Sequence, residues 1–178
     1  MNVYDPNNTV LANEFLINEE VMAKIITDLQ SGVQSLKQVN IYSARALVML
    51  RYLDLCAPQF SKAGAASQIL VQEVKNEYPD LWKAVSEHED IPENKSQTTL
   101  PTKYPVINIE LWKTALKEAS VREGRLITIY NQRLSAVFRY LMVTTPRFKM
   151  SSNAASLIER GLSTRYPKIW RKLLKDLK

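Results

Sequence analysis

Glycine is scarce in this sequence. Its 178 residues hold four, Gly32, Gly64, Gly124 and Gly161, and no two are close together. Phosphate-binding loops and dinucleotide fingerprints need clustered glycines after a strand, so both are excluded. The one cysteine, Cys56, rules out an intramolecular disulfide and a cysteine-based zinc site. The one histidine, His88, leaves no histidine pair for a metal. It lies among Glu87, Glu89 and Asp90, the setting of a solvated loop side chain rather than a general base. Long apolar runs are missing too. Residues 46–50 form the most apolar stretch, and Arg51 stops it far short of the roughly 20 residues a spanning helix needs. Residues 1–13 have no basic start and no apolar segment, so no secretory signal is expected. A lone thiol in an apolar helix reads as an inert core group, and the low cysteine use fits a cytoplasmic setting.

Apolar residues are nonetheless plentiful, at 46% of the chain, enough to build a core. The formal charge of +6 suits an anionic partner.

The dominant feature is a repeat. Displaced by 88 residues, positions 39–82 lie over 127–170 without a gap and with twelve identities. These include Tyr42/Tyr130, Arg45/Arg133, Arg51/Arg139, Tyr52/Tyr140, Pro58/Pro146 and Phe60/Phe148. The run ends in Tyr-Pro-x-x-Trp twice, at Trp82 and Trp170. Upstream, Ile17-Asn18-x-Glu20 matches Ile107-Asn108-x-Glu110. The reading is an all-α chain that arose by internal duplication of a helical repeat of about 70 residues, packed as a pseudo-twofold bundle. Its expected parts are an N-terminal repeat over 14–88, a polar linker over 89–104 and a basic C-terminal repeat over 105–178.

Four helical pieces are expected in each copy. The first starts at Asn18 or Asn108, whose side chains can cap it ahead of acidic residues. The second covers about 44–57 and 132–144 and ends at Pro58 or Pro146. The third covers about 62–76 and 150–164 and opens on small residues. A short fourth begins at Pro79 or Pro167, a residue that suits the first helical position. Trp82 and Trp170 would then plug the core of each copy.

One segment reads two ways. Val39-Asn40-Ile41-Tyr42 and Ile127-Thr128-Ile129-Tyr130 alternate apolar and polar residues as strands do. The all-α reading takes them as first turns of the second helices. As strands, the order strand, helix, turn, helix resembles the ribbon-helix-helix DNA-binding fold over about 38 residues of each repeat. Phe60-Ser61-Lys62, with the small residues after it, resembles that family's turn into its second helix. The resemblance implies paired strands in the major groove, with Asn40 and Thr128 reading bases.

No catalytic constellation emerges. Glu73 and Glu77 share a helix face, but Gly161 and Arg165 replace them in the second copy. No enzyme activity, cofactor or metal is expected.

Charge supplies the functional signal. Residues 1–88 carry seven basic and ten acidic side chains, and residues 89–178 carry seventeen and eight. Gln59 gives way to Arg147, Ser61 to Lys149, Gln72 to Arg160, Glu77 to Arg165, Asp80 to Lys168, Ala84 to Lys172 and Glu87 to Lys175. If one fold carries both sets, the fold does not require the cations, and a partner is the better reason for them. The candidate phosphate contacts are these seven with Arg122, Arg125, Arg133, Arg139 and Arg171. Arg133 and Arg139 also stand in both copies, which points to structural bonds to helix ends or carboxylates. The expected function is non-catalytic binding of a DNA or RNA backbone by the C-terminal repeat. The N-terminal repeat is then left to dock on protein, as in an accessory subunit of a nucleoprotein complex. In size, charge and helicity the chain resembles the small subunits of CRISPR effector complexes. The alternatives are a ribbon-helix-helix-like regulator and a helical scaffold that binds no nucleic acid.

Overall fold

Two short strands, one from each half of the chain, pair on a mainly helical fold. A computed structural model describes residues 17–57, 61–93, 100–101, 106–121 and 126–177. In chain order these form α1 (Glu19–Gln30), a 3₁₀ turn (Gln34–Lys37), β1 (Gln38–Tyr42), α2 (Ala44–Cys56), α3 (Lys62–Glu77) and α4 (Pro79–Ser86). There follow α5 (Ile109–Val121), β2 (Leu126–Tyr130), α6 (Gln132–Thr144), α7 (Met150–Arg165) and α8 (Pro167–Asp176). The fold is thus mostly helical, with one two-stranded sheet among the described residues.

Local chemistry sets the boundaries. The Asn18 side chain accepts from the N–H groups of Glu20 and Val21, and the Asn108 side chain accepts from Leu111. Glu19, Glu20 and Glu110 stand in first turns, where the helix dipole favours them. Pro79 and Pro167 open α4 and α8, where no N–H is required. The expected helices therefore sit within a residue or so of their sequence-derived bounds.

The ambiguous segments are strands, not helix starts. They pair antiparallel, with Gln38 opposite Tyr130, Val39 opposite Ile129, Asn40 opposite Thr128, Ile41 opposite Ile127 and Tyr42 opposite Leu126. Ser43 and Asn131 hold extended backbone just after the strands, and their side chains cap α2 and α6 through Ala46 and Leu134 N–H. An extended cap residue breaks the helical path, so the preceding residues cannot be its first turn. Val39, Ile41, Ile127 and Ile129 form the inner face and are buried. Each contributes on the order of 1.5–3 kcal/mol through burial.

Helices from the two halves of the chain are interleaved around one hydrophobic core. α1 packs on α6 and α2 on α5, while α4 lies against α6 and α8 against α2. α3 and α7 cross each other under the ribbon, with α3 touching β2 and α7 touching β1. Gly161 makes the crossing close: a Cβ there would collide with Ile69 Cγ2 and lie 3.0 Å from Glu73 Cγ.

Three expectations about single residues are corrected. Trp82 and Trp170 are half-buried at the edge of the core, because Leu81, Val85, Ile169 and Leu173 fill the inner faces of α4 and α8. The buried indole is Trp112, stacked edge-on against Tyr52 with ring centroids 5.2 Å apart. Cys56, the last residue of α2, is exposed rather than a core thiol.

Candidate nucleic-acid interface

Alternation along the strands gives the ribbon two different faces. With Val39, Ile41, Ile127 and Ile129 turned inward, Gln38, Asn40, Tyr42, Thr128 and Tyr130 occupy the outer face. At its centre Thr128 Oγ1 donates to Asn40 Oδ1 at 3.1 Å. Towards one end Gln38 Nε2 donates to Tyr130 Oη at 2.9 Å. These lateral bonds orient the two amides without exhausting them. Each amide keeps at least one N–H and a lone pair on its carbonyl oxygen. Tyr42 and Tyr130 are 55% and 59% exposed, which is unusual for large aromatic side chains.

The strand ends are tied down from beneath. Ser43 Oγ donates to Glu159 of α7 at 2.6 Å, and Asn131 Nδ2 donates to Ser67 of α3 at 3.1 Å. Each cap residue therefore fixes both the helix it opens and the helix that crosses below. The ribbon is thus bonded at both strand ends to the helices beneath it.

The twelve cations expected to contact nucleic acid do not form a single track. Arg122 and Arg125 lie outside the described residues. Arg139 serves the fold: its guanidinium donates to the carbonyls of Leu36 and Ser35 and to Ser135 Oγ. Burial lowers its pKa, with the charge of Asp28 opposing that shift. Arg160 bonds Glu73 Oε2 at 2.6 Å and Glu77 Oε2 at 3.0 Å, and its pKa is raised mainly by the bond to Glu73. Its charge is largely spent on α3. Arg133 and Arg165 each hold a buried Nε with no hydrogen-bond partner.

The remainder fall into two exposed groups. Arg147 and Lys149 occupy the turn between α6 and α7. Arg147 has φ 63°, in the left-handed region that non-glycine residues seldom adopt. Lys149 is the N-cap of α7 but makes no side-chain cap, whereas Ser61 caps α3 by accepting from Gly64 N–H at 3.2 Å. On α8, Lys168, Arg171, Lys172 and Lys175 surround Leu174 in an open depression. Lys172 is partly committed there, pairing with Asp176 at 3.0 Å and lying 5.8 Å from the Trp112 ring centre.

Alternation in the sequence marks Asn40 and Thr128 but not Gln38. It stands one residue before the alternating run, and its counterpart at the 88-residue displacement is Leu126, so neither signal marked it. Among the described residues no group of three or more His, Cys, Asp or Glu side chains could hold a metal, and no helix is long and apolar enough to cross a membrane. No protein-family model, curated protein or solved structure matches this chain.

Proposed function

We propose that this chain is a non-catalytic double-stranded DNA-binding protein. The outer face of its antiparallel ribbon reads base edges, and exposed cations of the second half grip phosphates. The observation that carries the reading is the Asn40–Thr128 pair at the centre of a two-stranded ribbon whose exposed side is lined by hydrogen-bonding groups. A two-stranded ribbon fits the major groove, which is about 12 Å wide. Asparagine and glutamine amides match the N6/N7 edge of adenine, and a threonine hydroxyl serves several base edges. The arrangement resembles the ribbon-helix-helix fold, with both strands supplied by one chain.

The reading includes the duplication. It is supported by the ribbon register, in which each strand residue faces the residue its own counterpart would face after a half-turn. It is also supported by reciprocal bonds: Asn108 N–H donates to Tyr52 Oη, and Asn18 N–H donates to Tyr140 Oη. Arg147 and Lys149 supply phosphate contacts beside the ribbon.

The test is selection of duplexes from a random library, followed by affinity measurements on the winners. Asn40→Ala and Thr128→Ala should each weaken binding to a selected duplex by about 1–3 kcal/mol and leave an unrelated duplex nearly unaffected. Arg147→Gln with Lys149→Ser should weaken both duplexes alike and flatten the log–log salt slope by about 0.9 per lost contact. Failure to enrich any sequence overturns base reading. A second reading, sequence-independent backbone binding within a larger assembly, is favoured by the α8 cations. In that case charge removal at Lys168, Arg171 and Lys175 weakens every duplex equally, and the ribbon substitutions do nothing.

A further inference from the structure

Resting on that DNA-binding reading, we infer that the ligand is a non-palindromic duplex held in one fixed orientation. A ribbon built from two identical strands presents identical groups at both ends and matches a palindrome. This ribbon does not. Its half-turn counterparts in the register are Asn40 with Thr128, Tyr42 with Tyr130 and, by position alone, Gln38 with Leu126. Only the tyrosines agree. One end places the Gln38 amide on the Tyr130 hydroxyl, and the other pairs Tyr42 in register with Leu126, which has no such amide. Two identical half-sites would satisfy one end and leave the other with unmatched donors and acceptors. Unmatched polar groups at a desolvated contact reduce affinity, so a symmetric site is the poorer ligand.

The phosphate grip is skewed in the same sense. The turn before α7 carries exposed Arg147 and Lys149, where the first half has Gln59 and Ser61 in sequence. Ser61 has turned its oxygen onto its own helix, and Lys62 follows it in sequence. The base readers and the backbone grip are thus both unequal between halves. Because one chain holds both halves, the inequality is permanent and has one direction. The ligand class that fits is a directional DNA element, with one flank bound more firmly by its backbone.

The experiment uses the full chain and its one thiol. Cys56 is exposed at the end of α2, in the first half, and is absent from the proposed contacts. An iron–EDTA cleavage reagent is attached there, and the loaded protein is bound to a labelled fragment carrying the library-selected site. The expected result is an asymmetric consensus with cuts clustered on one flank. Inverting the site within the fragment should move the cuts to the other side. A variant exchanging these counterparts between strands (Gln38→Leu, Asn40→Thr, Leu126→Gln, Thr128→Asn) leaves Val39, Ile41, Ile127 and Ile129 in place. It should select the same half-site elements in the opposite order relative to the cuts. A palindromic consensus, or equal cuts on both flanks, overturns the fixed orientation and leaves DNA binding standing. Failure to enrich any duplex overturns base reading, and this inference with it; absence of binding to any duplex at low salt overturns the DNA-binding reading itself.

Discussion

The hydroxyl of Tyr52 accepts a hydrogen bond from the backbone N–H of Asn108, 2.9 Å away and 56 residues along the chain. Asn108 is the residue that caps α5, so a side chain in the second helix of one half fixes the first helix of the other. Tyr140 repeats the arrangement with Asn18 at 2.8 Å. The two tyrosines are core rings whose polar tips lock helix starts. That role gives a structural reason for the tyrosine at both positions, 88 residues apart.

Replacing either tyrosine by phenylalanine keeps the ring and deletes the acceptor. The expected cost is about 1 kcal/mol for each bond, which lowers the melting temperature by about 2–4 °C in a chain of this size. Tyr52→Phe should cost more, because Tyr52 is fully buried and Tyr140 is slightly exposed. Thermal unfolding followed by circular dichroism checks this. Two variants as stable as the parent would show that the hydroxyls do not hold these helices.

Gly161→Ala tests the crossing of α3 and α7. Alanine in a helix interior is favoured over glycine by about 1 kcal/mol. Here the added methyl runs into Ile69, which is itself buried. Overpacking of this kind costs about 1–3 kcal/mol, so the net change should be destabilising. A urea midpoint at or above that of the parent would mean the helices can part without penalty.

Asp176 gives the fold a pH dependence with a defined sign. Its carboxylate accepts from Lys172 and from the indole Nε1 of Trp112 at 2.8 Å, and these bonds, Lys172 first, lower its pKa below the usual carboxylate range. A depressed folded pKa stabilises at pH above the unfolded value, and the contribution fades as pH falls through the lower folded value. Tryptophan emission should therefore show a transition on the acid side of ordinary carboxylate titration. Asp176→Asn retains an acceptor for Trp112 but cannot titrate, so it should lose that transition. Identical acid profiles for parent and variant would sever Asp176 from the signal.

The helices were legible because their ends are chemical: Asn18, Asn108, Pro79 and Pro167 mark them almost to the residue. The strands were visible only as an ambiguity. Four residues of alternation fit a strand or a helical turn until a partner strand is known, and here it lies 88 residues away. The status of the cations was hidden for a similar reason. Arg139 and Arg147 look alike in sequence, yet one is consumed by the carbonyls of Leu36 and Ser35 and the other stands exposed in a left-handed turn. Only tertiary neighbours separate them. Trp112 drew no notice because it lies outside the gapless part of the repeat, although it is the most deeply buried of the three tryptophans.

The ribbon also dictates how the chain must be born. At synthesis rates of about 5–20 residues per second, β1 leaves the ribosome roughly 4–18 s before β2 exists. During that wait Val39 and Ile41 lack their cross-strand partners, and the apolar sides of α1 and α2 lack α6 and α5. A waiting edge strand is a template for the nearest free strand, including β1 of a neighbouring nascent chain. The small acidic excess of the first 88 residues, seven basic against ten acidic side chains, gives such chains only a weak, salt-screened repulsion, so the protection of β1 rests on the arrival of β2.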